Sequence, residues 1–390
     1  MRAATTQPRT AIRFVFTEPP EPFEREDDTE SVQVASRSAP LSGGCARRRV
    51  PPMVAAHIVE TQKKPGILYA TTDEGHELAV VDITNPAFAV SLTPEEHETL
   101  TAQFLAEQRR LAAMPALLRN LFLGFFLRGS LLARGLRKAN GSVLPGLETY
   151  LLKLGPENLP SALIKPIDRR VAAALPAFCV RLRLQDMARM LADLLAPQLE
   201  AAPGRPLHLI DVAGGPSMAT LNTLLLLQRE RPALLTRRSI SVDVLDLDVH
   251  GPSFGRRALE QLRSAGAPLH GLEIQMRHLA YDWRRPADLR SILDKARAND
   301  PVLAGVSEGA LFEYGTDAEI LSNLEELRGI PLVGSVTRND EPVHRMLASS
   351  GARLTLVPRG IDAFRTLVAR VDRRVARVIE RPFSDHVTLA

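Results

Sequence analysis

An apolar segment that ends in a glycine-rich turn constrains the fold of this chain more than any other feature. Residues 207–217 read Leu-His-Leu-Ile-Asp-Val-Ala-Gly-Gly-Pro-Ser, and an apolar helical pattern begins directly afterwards. This order is typical of a strand that passes into a helix at the carboxyl edge of a parallel sheet, where ligands bind. The loop backbone can approach a ligand there, and the helix N-terminus offers unpaired N–H groups. A tight turn that binds nothing is the other interpretation.

Short apolar segments alternate with helical patterns after residue 206, which indicates βαβ units. The predicted strands are 207–213, 240–246, 272–278, 301–306, 330–336 and 353–357, with a last strand near 385–389. The predicted helices are 217–229, 253–265, 286–298, 316–328 and 341–350, with one more after residue 360. We therefore expect residues 201–390 to form an α/β, Rossmann-like, doubly wound sheet of seven mostly parallel strands.

The chain before this sheet has a different character. Residues 1–52 show no sustained period, which predicts a disordered extension, and Met53 is a candidate translation start. Residues 53–200 are expected to form a mainly helical cap, with a hairpin of strands 66–71 and 77–83 and a helix capped by Thr93. Residues 101–140 contain seven basic residues and only one acidic residue. A basic amphipathic helix over 116–138 can lie on a membrane surface or pack on the core, and we expect the core.

Composition narrows the function classes. The chain has 390 residues, of which 45% are hydrophobic and 24% charged, as in ordinary globular proteins. A net charge of +4 with 5% aromatic residues does not favour nucleic-acid binding. Two cysteines provide neither a disulfide framework nor a metal site, and they fit a cytoplasmic protein. No apolar segment reaches the ~18 residues that a membrane span needs.

Acidic residues end the second strand of the predicted sheet, in the segment Val242-Asp-Val-Leu-Asp-Leu-Asp248. An acid at this strand end can accept hydrogen bonds from both hydroxyls of a ribose. Asp246 is the first candidate and Asp248 the second, although Asp248 can instead cap the next helix. Asp243 lies within the strand and is expected to face solvent.

Two further strand ends carry candidate residues. The third strand is followed by Tyr281-Asp282-Trp283. The carboxylate of Asp282 can accept a purine amine, and Trp283 can lie beside the ring or cover the core. The fourth strand ends in Ser307-Glu308. We expect Glu308 either to act as a catalytic residue at the switch point of the sheet or to support the loop.

These segments, in this order, resemble the class I S-adenosylmethionine-dependent methyltransferases over residues 180–358. The matching motifs read Asp-Val-Ala-Gly-Gly-Pro-Ser, Leu-Asp-Leu-Asp, Tyr-Asp-Trp and Ser-Glu-Gly-Ala-Leu-Phe-Glu-Tyr. The segments Arg181-Leu-Arg-Leu-Gln-Asp186 and Glu308-Gly-Ala-Leu-Phe-Glu-Tyr314 are similar to those of the leucine carboxyl methyltransferase-like branch. The chain departs from the family in having two glycines in the first loop where three are usual.

The resemblance implies S-adenosyl-L-methionine as cofactor and methyl transfer to a small molecule through a carboxylate or hydroxyl group. Gly214 and Gly215 would contact the methionine part, and Arg183 its carboxylate. Asp246 would bind the ribose, and Asp282 the adenine amine. The full set of candidate cofactor-binding residues is Arg183, Asp211, Ala213, Gly214, Gly215, Pro216, Ser217, Asp246, Asp248, Tyr281, Asp282, Trp283 and Ser307.

Two other functions stay open at this point. An NAD(P)-dependent oxidoreductase also needs a glycine-rich turn and a ribose acid, but the G-x-G-x-x-G spacing is missing and the acid lies beyond the ~20 residues expected. A methyltransferase-like fold could also serve as a binding module at a membrane surface through residues 101–140. Positive charge in the cap suits an acidic acceptor. His278 and His344 are candidate bases by residue type only.

Overall fold

The computed structural model describes residues 63–115, 130, 132, 146–161, 164–349 and 355–390. The predicted extension over 1–52, Met53 and almost all of the predicted basic helix over 116–138 lie outside these residues. Within the described part, no helix combines the length and the apolar character that crossing a membrane requires.

The N-terminal part begins with the predicted hairpin and then becomes helical. Strands β1 (Tyr69–Thr71) and β2 (Glu77–Ala79) pair antiparallel. Helix α1 (Pro94–Ala112) starts at a capping box, in which Thr93 Oγ1 accepts a hydrogen bond from the Glu96 N–H and the Glu96 carboxylate accepts one from the Thr93 N–H. The next helices are α2 (Gly146–Leu154), α3 (Pro166–Ala173) and α4 (Leu175–Ala201).

A seven-stranded sheet follows, in the order β5-β4-β3-β6-β7-β9-β8, in which β9 runs opposite to the other six strands. Its strands are β3 (Leu207–Val212), β4 (Ile240–Leu245), β5 (Ile274–Leu279), β6 (Val302–Ser307), β7 (Leu332–Thr337), β8 (Val375–Glu380) and β9 (Ser384–Leu389). The α-helices around it are α5 (Met218–Glu230), α6 (His250–Leu262), α7 (Pro286–Arg297), α8 (Leu311–Tyr314), α9 (Asp317–Glu326), α10 (Glu341–Ser349) and α11 (Ile361–Ala369). The predicted Rossmann-like α/β fold is confirmed.

The two faces of the sheet bury separate hydrophobic clusters because side chains alternate along each strand. Leu207 and Leu209 belong to the cluster that includes residues of α4, α5 and α6. Ile210 and Val212 belong to the cluster with α7, α9 and α11. Helix α4 ends at Ala201, where the predicted sheet domain begins, yet it packs against β6, β7 and β9. The division into a cap over 53–200 and a sheet domain over 201–390 stays a prediction.

The predicted strand over 353–357 is wrong in its described part, because residues 355–357 belong to no strand. The backbone N–H of Val357 donates instead to the carbonyl of Glu313 at 2.8 Å, in the segment that leads into α11. The missing strand is β8, at the edge of the sheet, where half-exposed and exposed residues mix without a continuous apolar segment. An edge strand needs less apolar sequence than a central one, so its signal is weaker.

The expectation that Asp243 faces solvent is also wrong, because its side chain is only 1% exposed. Its carboxylate accepts hydrogen bonds from Arg277 Nε at 2.7 Å and Nη2 at 2.8 Å, and lies 2.9 Å from His208 Nε2. The three residues lie on adjacent strands of one face. Burial by itself raises the pKa of Asp243, but His208 and Arg277 lower it overall.

The β1–β2 turn is held against α6 by charged hydrogen bonds. Asp73 Oδ1 accepts from Ser253 Oγ at 2.9 Å and from Arg257 Nη2 at 2.7 Å. Asp73 Oδ2 lies 2.8 Å from His250 Nδ1. The bond from His250 lowers the pKa of Asp73 to about 2, and the same bond raises the pKa of His250. The β1–β2 turn is therefore bound to the first residues of α6, the helix that follows the candidate ribose-binding residue Asp246.

We expect this contact to stabilise the protein most between the ordinary pKa values of Asp and His. The raised pKa of His250 contributes stability that is complete below pH 6.5 and is lost as pH rises through the folded value. The lowered pKa of Asp73 contributes stability above pH 3.8 that is lost as pH falls toward about 2. An NMR titration should show the His250 pKa falling toward 6.5 in Asp73→Asn. An unchanged His250 pKa would contradict the pairing.

Candidate functional site

The candidate site lies at the carboxyl edge of the sheet, above β3 and β6. From β3 the strand order proceeds through β4 and β5 on one side and through β6 and β7 on the other. The connections therefore diverge between β3 and β6, which leaves a crevice at the carboxyl ends of these two strands. The loops that follow β3, β4, β5 and β6 bring the sequence candidates to this edge.

The loop after β3 has an unusual backbone. Ala213, Gly215 and Ser217 all have positive φ, at 53°, 51° and 58°. Gly214 lies directly over Asp211, because a Cβ on Gly214 would come within 2.3 Å of the Asp211 Cγ. Helix α6 closes the other side, where a Cβ on Gly255 would lie 2.5 Å from the Pro216 carbonyl oxygen. The loop therefore fits tightly between β3 and α6 and presents backbone on its open side.

Asp211 supports this loop from below. Its Oδ2 accepts hydrogen bonds from Ser217 Oγ at 2.5 Å and from Thr220 Oγ1 at 2.8 Å. Among the residues that the structure describes, none donates to its buried Oδ1. Burial raises the pKa of Asp211 to about 6. Ser217 precedes α5 and is of a residue type that often caps helices, but its hydroxyl is directed to Asp211 and forms no capping bond.

Asp246 joins the loops that follow β3 and β4. Its Oδ2 accepts from the Gly215 N–H at 2.8 Å, and its Oδ1 accepts from the Asp248 N–H at 2.9 Å. Asp248 in turn accepts from the backbone N–H groups of His250 at 3.1 Å and Gly251 at 3.0 Å. Asp248 therefore caps the start of α6, which is the alternative role that the sequence left open for it. Burial raises the pKa of Asp246.

The side chains of the loop after β5 make more contacts within the protein than the sequence indicates. The buried Tyr281 hydroxyl donates to Asn323 Oδ1 at 2.5 Å. Trp283 packs against the hydrophobic cluster of the second face, and its carbonyl accepts from Asn323 Nδ2 at 2.7 Å. Asp282 binds the Arg284 guanidinium, which lowers the pKa of Asp282. Asp282 stays near the edge, whereas Tyr281 and Trp283 contact the core.

Four buried charged side chains lie at the end of β6. Glu308 Oε2 accepts from Lys153 Nζ at 2.9 Å, and Glu308 Oε1 lies 3.7 Å from Arg183 Nε. Arg183 Nη1 also lies 3.3 Å from the Glu313 carboxylate. The side chains of Lys153, Arg183, Glu308 and Glu313 are 6%, 13%, 5% and 5% exposed. Burial disfavours the charge of Arg183, but Glu313 and Glu308 raise its pKa.

Lys153 and Glu313 are members of this cluster that the sequence did not single out as site residues. Lys153 is the penultimate residue of α2, 155 residues away from its partner Glu308, and no local pattern marks it. Ser307 accepts from the Leu311 N–H at 3.1 Å and so fixes the start of α8. The Glu308 Oε1 and Arg183 Nε atoms are buried without a hydrogen-bond partner in the described part of the chain.

The candidate bases lie away from this crevice or are already engaged. His278 Nε2 lies 2.9 Å from the Asp246 carbonyl oxygen. His344 is exposed on α10 and lies 2.8 Å from Asn339 Oδ1 through its Nε2. Across the described ranges, no group of three or more His, Cys, Asp or Glu residues is arranged to hold a metal ion.

The unpartnered atoms and the glycine loop fit a ligand with a hydroxyl-bearing ring and a charged end. Gly214 and Gly215 leave a backbone surface that a Cβ would fill, and each oxygen of Asp246 keeps a further lone pair. Among the described residues, Asp211 Oδ1 accepts no hydrogen bond, and Glu308 Oε1 has only the ion pair with Arg183 Nε at 3.7 Å, so both oxygens can accept from an ammonium group. This chemistry matches that of the cofactor that the resemblance implies.

Solved structures that are similar to this chain include several methyltransferases. Magnesium protoporphyrin IX methyltransferase from Synechocystis PCC 6803, with bound SAH, has 11% identity and a TM-score of 0.35, over 56% of this chain and 87% of that chain. Mitomycin 7-O-methyltransferase has 12% identity and a TM-score of 0.35, over 74% and 71%. The N,N-8-amino-8-demethyl-D-riboflavin dimethyltransferase from Streptomyces davawensis has 15% identity and a TM-score of 0.34, over 76% and 69%.

No protein-family model and no curated protein matches the chain.

Proposed function

We propose that this protein is an S-adenosyl-L-methionine-dependent methyltransferase that acts on a small molecule through a carboxylate or hydroxyl group. One observation carries the proposal. The ends of β3, β4 and β6 bring a glycine loop, the Asp246 carboxylate and two carboxylate oxygens that accept no hydrogen bond from the described residues to one edge of the sheet. The segments that resemble the leucine carboxyl methyltransferase-like branch support a carboxylate as the acceptor group.

The adenosyl part would bind between the loops after β3, β4 and β5. The Asp246 carboxylate already accepts a hydrogen bond from the Gly215 N–H, and this bond orients its remaining lone pairs toward the same edge of the sheet. Two ribose hydroxyls would donate to them, as in dinucleotide-binding folds. Asp282 would accept the adenine amine once the side chain of Arg284 moves aside, and this is feasible because that side chain is 65% exposed.

The methionine part would extend toward β6. Its ammonium group would donate to Asp211 Oδ1 and Glu308 Oε1, and its carboxylate would meet the backbone of Gly214 and Gly215. The Arg183 charge is balanced by Glu313 and Glu308, so Arg183 supports these acids more than it binds a carboxylate. We assign Glu308 a role in binding the cofactor rather than in catalysis, because Lys153 and Arg183 neutralise its charge.

When bound, the cofactor supplies the methyl group and its own leaving group through the sulfonium. The residues of the chain then hold the acceptor in line with the methyl group and exclude water. A carboxylate acceptor needs no general base, whereas a phenol or an alcohol does. The engaged positions of His278 and His344 favour an acceptor that arrives without a proton to lose.

Isothermal titration calorimetry of the full chain with S-adenosylmethionine, S-adenosylhomocysteine and NAD tests this proposal. We expect saturable binding of the first two and none of NAD. Binding of NAD alone would instead identify an oxidoreductase. Binding of none, together with association with anionic vesicles, would identify a membrane-surface module.

The variant Asp246→Ala tests the ribose contact. We expect S-adenosylhomocysteine to bind about 10–100-fold more weakly, because a charge-assisted hydrogen bond contributes about 1.5–3 kcal/mol. The matched control is Asp294→Ala on α7, whose side chain is 69% exposed and whose loss should leave affinity unchanged. Equal affinities of the two variants would show that Asp246 does not bind the cofactor. Thermal melting of each variant checks that the fold is retained.

A further inference from the structure

Arg181 on α4 is a partly buried cation that the proposed function does not use. Its guanidinium packs over Gly155, where a Cβ would come within 2.6 Å of Arg181 Nη1. Its Cζ lies 5.3 Å from the centre of the Phe178 ring. The Nε atom is buried, and no acceptor for it exists among the described residues. In the described part of the chain, no ion pair and no side-chain hydrogen bond involves Arg181.

Other buried arginines in the described part of the chain each keep at least one hydrogen-bond acceptor for the side chain, although the Nε atoms of Arg183 and Arg373 are also buried without a hydrogen bond. Arg238 donates to four backbone carbonyls, those of Leu199, Ala202, Arg205 and Leu234. Arg359 pairs with Asp317 at 3.0 Å and donates to two further carbonyls. Arg183 lies two residues along α4 and is bound by Glu308 and Glu313. The lack of partners is therefore specific to Arg181 within this group.

An uncompensated cation in this environment costs free energy, because burial removes water from it and no protein acceptor replaces that water. Burial lowers the pKa of Arg181 to about 10. Among the described residues, the neighbours of Arg181 supply no carboxylate: Gly155, with a φ of +74°, places its backbone against the guanidinium, and Phe178 supplies a ring face. A planar guanidinium presents a fork that matches a carboxylate or phosphate. An anion bound here would therefore satisfy Arg181.

We propose that Arg181 binds the carboxylate or phosphate group of a small-molecule ligand at the junction of α2 and α4. Lys153, two residues before Gly155, reaches Glu308 in the candidate crevice, so the anion site lies beside that crevice. The anion belongs either to an acidic methyl acceptor or to the carboxylate of the cofactor. Only the identity of the ligand rests on the proposed function, whereas the anion site itself does not.

Thermal melting of the full chain with and without inorganic phosphate and citrate tests the anion site. We expect Arg181→Met to melt at least ~2 °C higher than the wild type without ligand, because an unpaired charge is removed. We expect a saturable rise in melting temperature with phosphate or citrate in the wild type and none in Arg181→Met. A lower melting temperature of Arg181→Met, with the anion response retained, would overturn the proposal.

Two further variants separate an anion site from a structural role. Arg181→Lys keeps the charge without the fork, and we expect it to retain a weaker anion response. Arg238→Met is the control, because it removes the hydrogen bonds to four backbone carbonyls and should lower the melting temperature. An anion response that Arg181→Lys loses completely, or that Arg238→Met also loses while folded, would contradict the assignment to Arg181.

Calorimetry with S-adenosylhomocysteine and 5′-methylthioadenosine, which lacks the amino-acid part, identifies the source of the anion. If Arg181→Met weakens the first at least 10-fold and leaves the second unchanged, the anion is the cofactor carboxylate. If both bind Arg181→Met as they bind the wild type while the phosphate response is lost, the anion belongs to the acceptor. Should neither nucleoside bind the wild type, the proposed function fails, yet the phosphate response still decides the anion site.

Discussion

Replacing Lys153 with methionine is expected to lower the free energy of unfolding by about 3 kcal/mol. The change leaves the Glu308 carboxylate, 5% exposed, without its partner at 2.9 Å. Removing one member of a buried ion pair typically costs about 3–5 kcal/mol, because the other charge stays buried. We expect the lower end of this range, since Arg183 stays 3.7 Å from Glu308. Urea unfolding of both proteins measures the difference.

Two controls isolate the buried charge as the cause. Arg365→Met breaks an exposed pair with Asp362, whose side chains are 54% and 91% exposed, and should change stability by less than ~0.5 kcal/mol. The double variant Lys153→Met/Glu308→Met removes both charges and should recover most of the loss. If Lys153→Met is as stable as the wild type, the ionic cluster at the end of β6 does not exist as described.

Replacing Gly214 with alanine is expected to weaken S-adenosylhomocysteine binding at least 10-fold and to cost about 1–3 kcal/mol of stability. The new Cβ would lie 2.3 Å from the Cγ and 2.5 Å from the Oδ1 of Asp211. Asp211 cannot move away easily, because Ser217 and Thr220 both donate to its Oδ2. The loop must therefore shift out of the position in which it would contact the cofactor. Calorimetry measures the affinity.

Gly204→Ala is the matched control for this variant. Gly204 has a φ of +81° and open space around it, so alanine there causes backbone strain without any overlap. We expect both glycine variants to lose stability, but only Gly214→Ala to lose affinity. Equal affinity in wild type and Gly214→Ala would mean that the loop after β3 does not form the cofactor surface.

The sequence predicted the central strands because strands covered on both faces are continuous apolar segments. Strand β3 is buried at all six positions, and its predicted segment is accordingly clear. Strand β8 was missed because, at the edge, it mixes half-exposed and exposed residues. The environment of Asp243 was also missed, since it depends on His208 and Arg277 on two neighbouring strands, and only the register brings these three together.

Site residues at strand ends are predictable because parallel strands end at one edge of the sheet. Asp211 and Asp246 follow this rule, and the structure places both beside the glycine loop. The ionic partners of Glu308 do not follow it, because Lys153 and Arg183 come from helices far away in sequence. The engagement of Asp282 by Arg284 is local, yet whether two neighbouring side chains pair depends on rotamers that composition does not specify.

A crystal structure of the full chain with S-adenosylhomocysteine tests the central claim most directly. We expect one adenosyl group at the edge above β3, with its ribose hydroxyls at about 2.6–3.2 Å from the Asp246 carboxylate, which is the ordinary range of hydrogen-bond distances. We also expect the ligand ammonium to lie within that range of Asp211 Oδ1 or Glu308 Oε1. A nucleoside bound on another face of the molecule, or turned so that its ribose is remote from Asp246, would contradict the account.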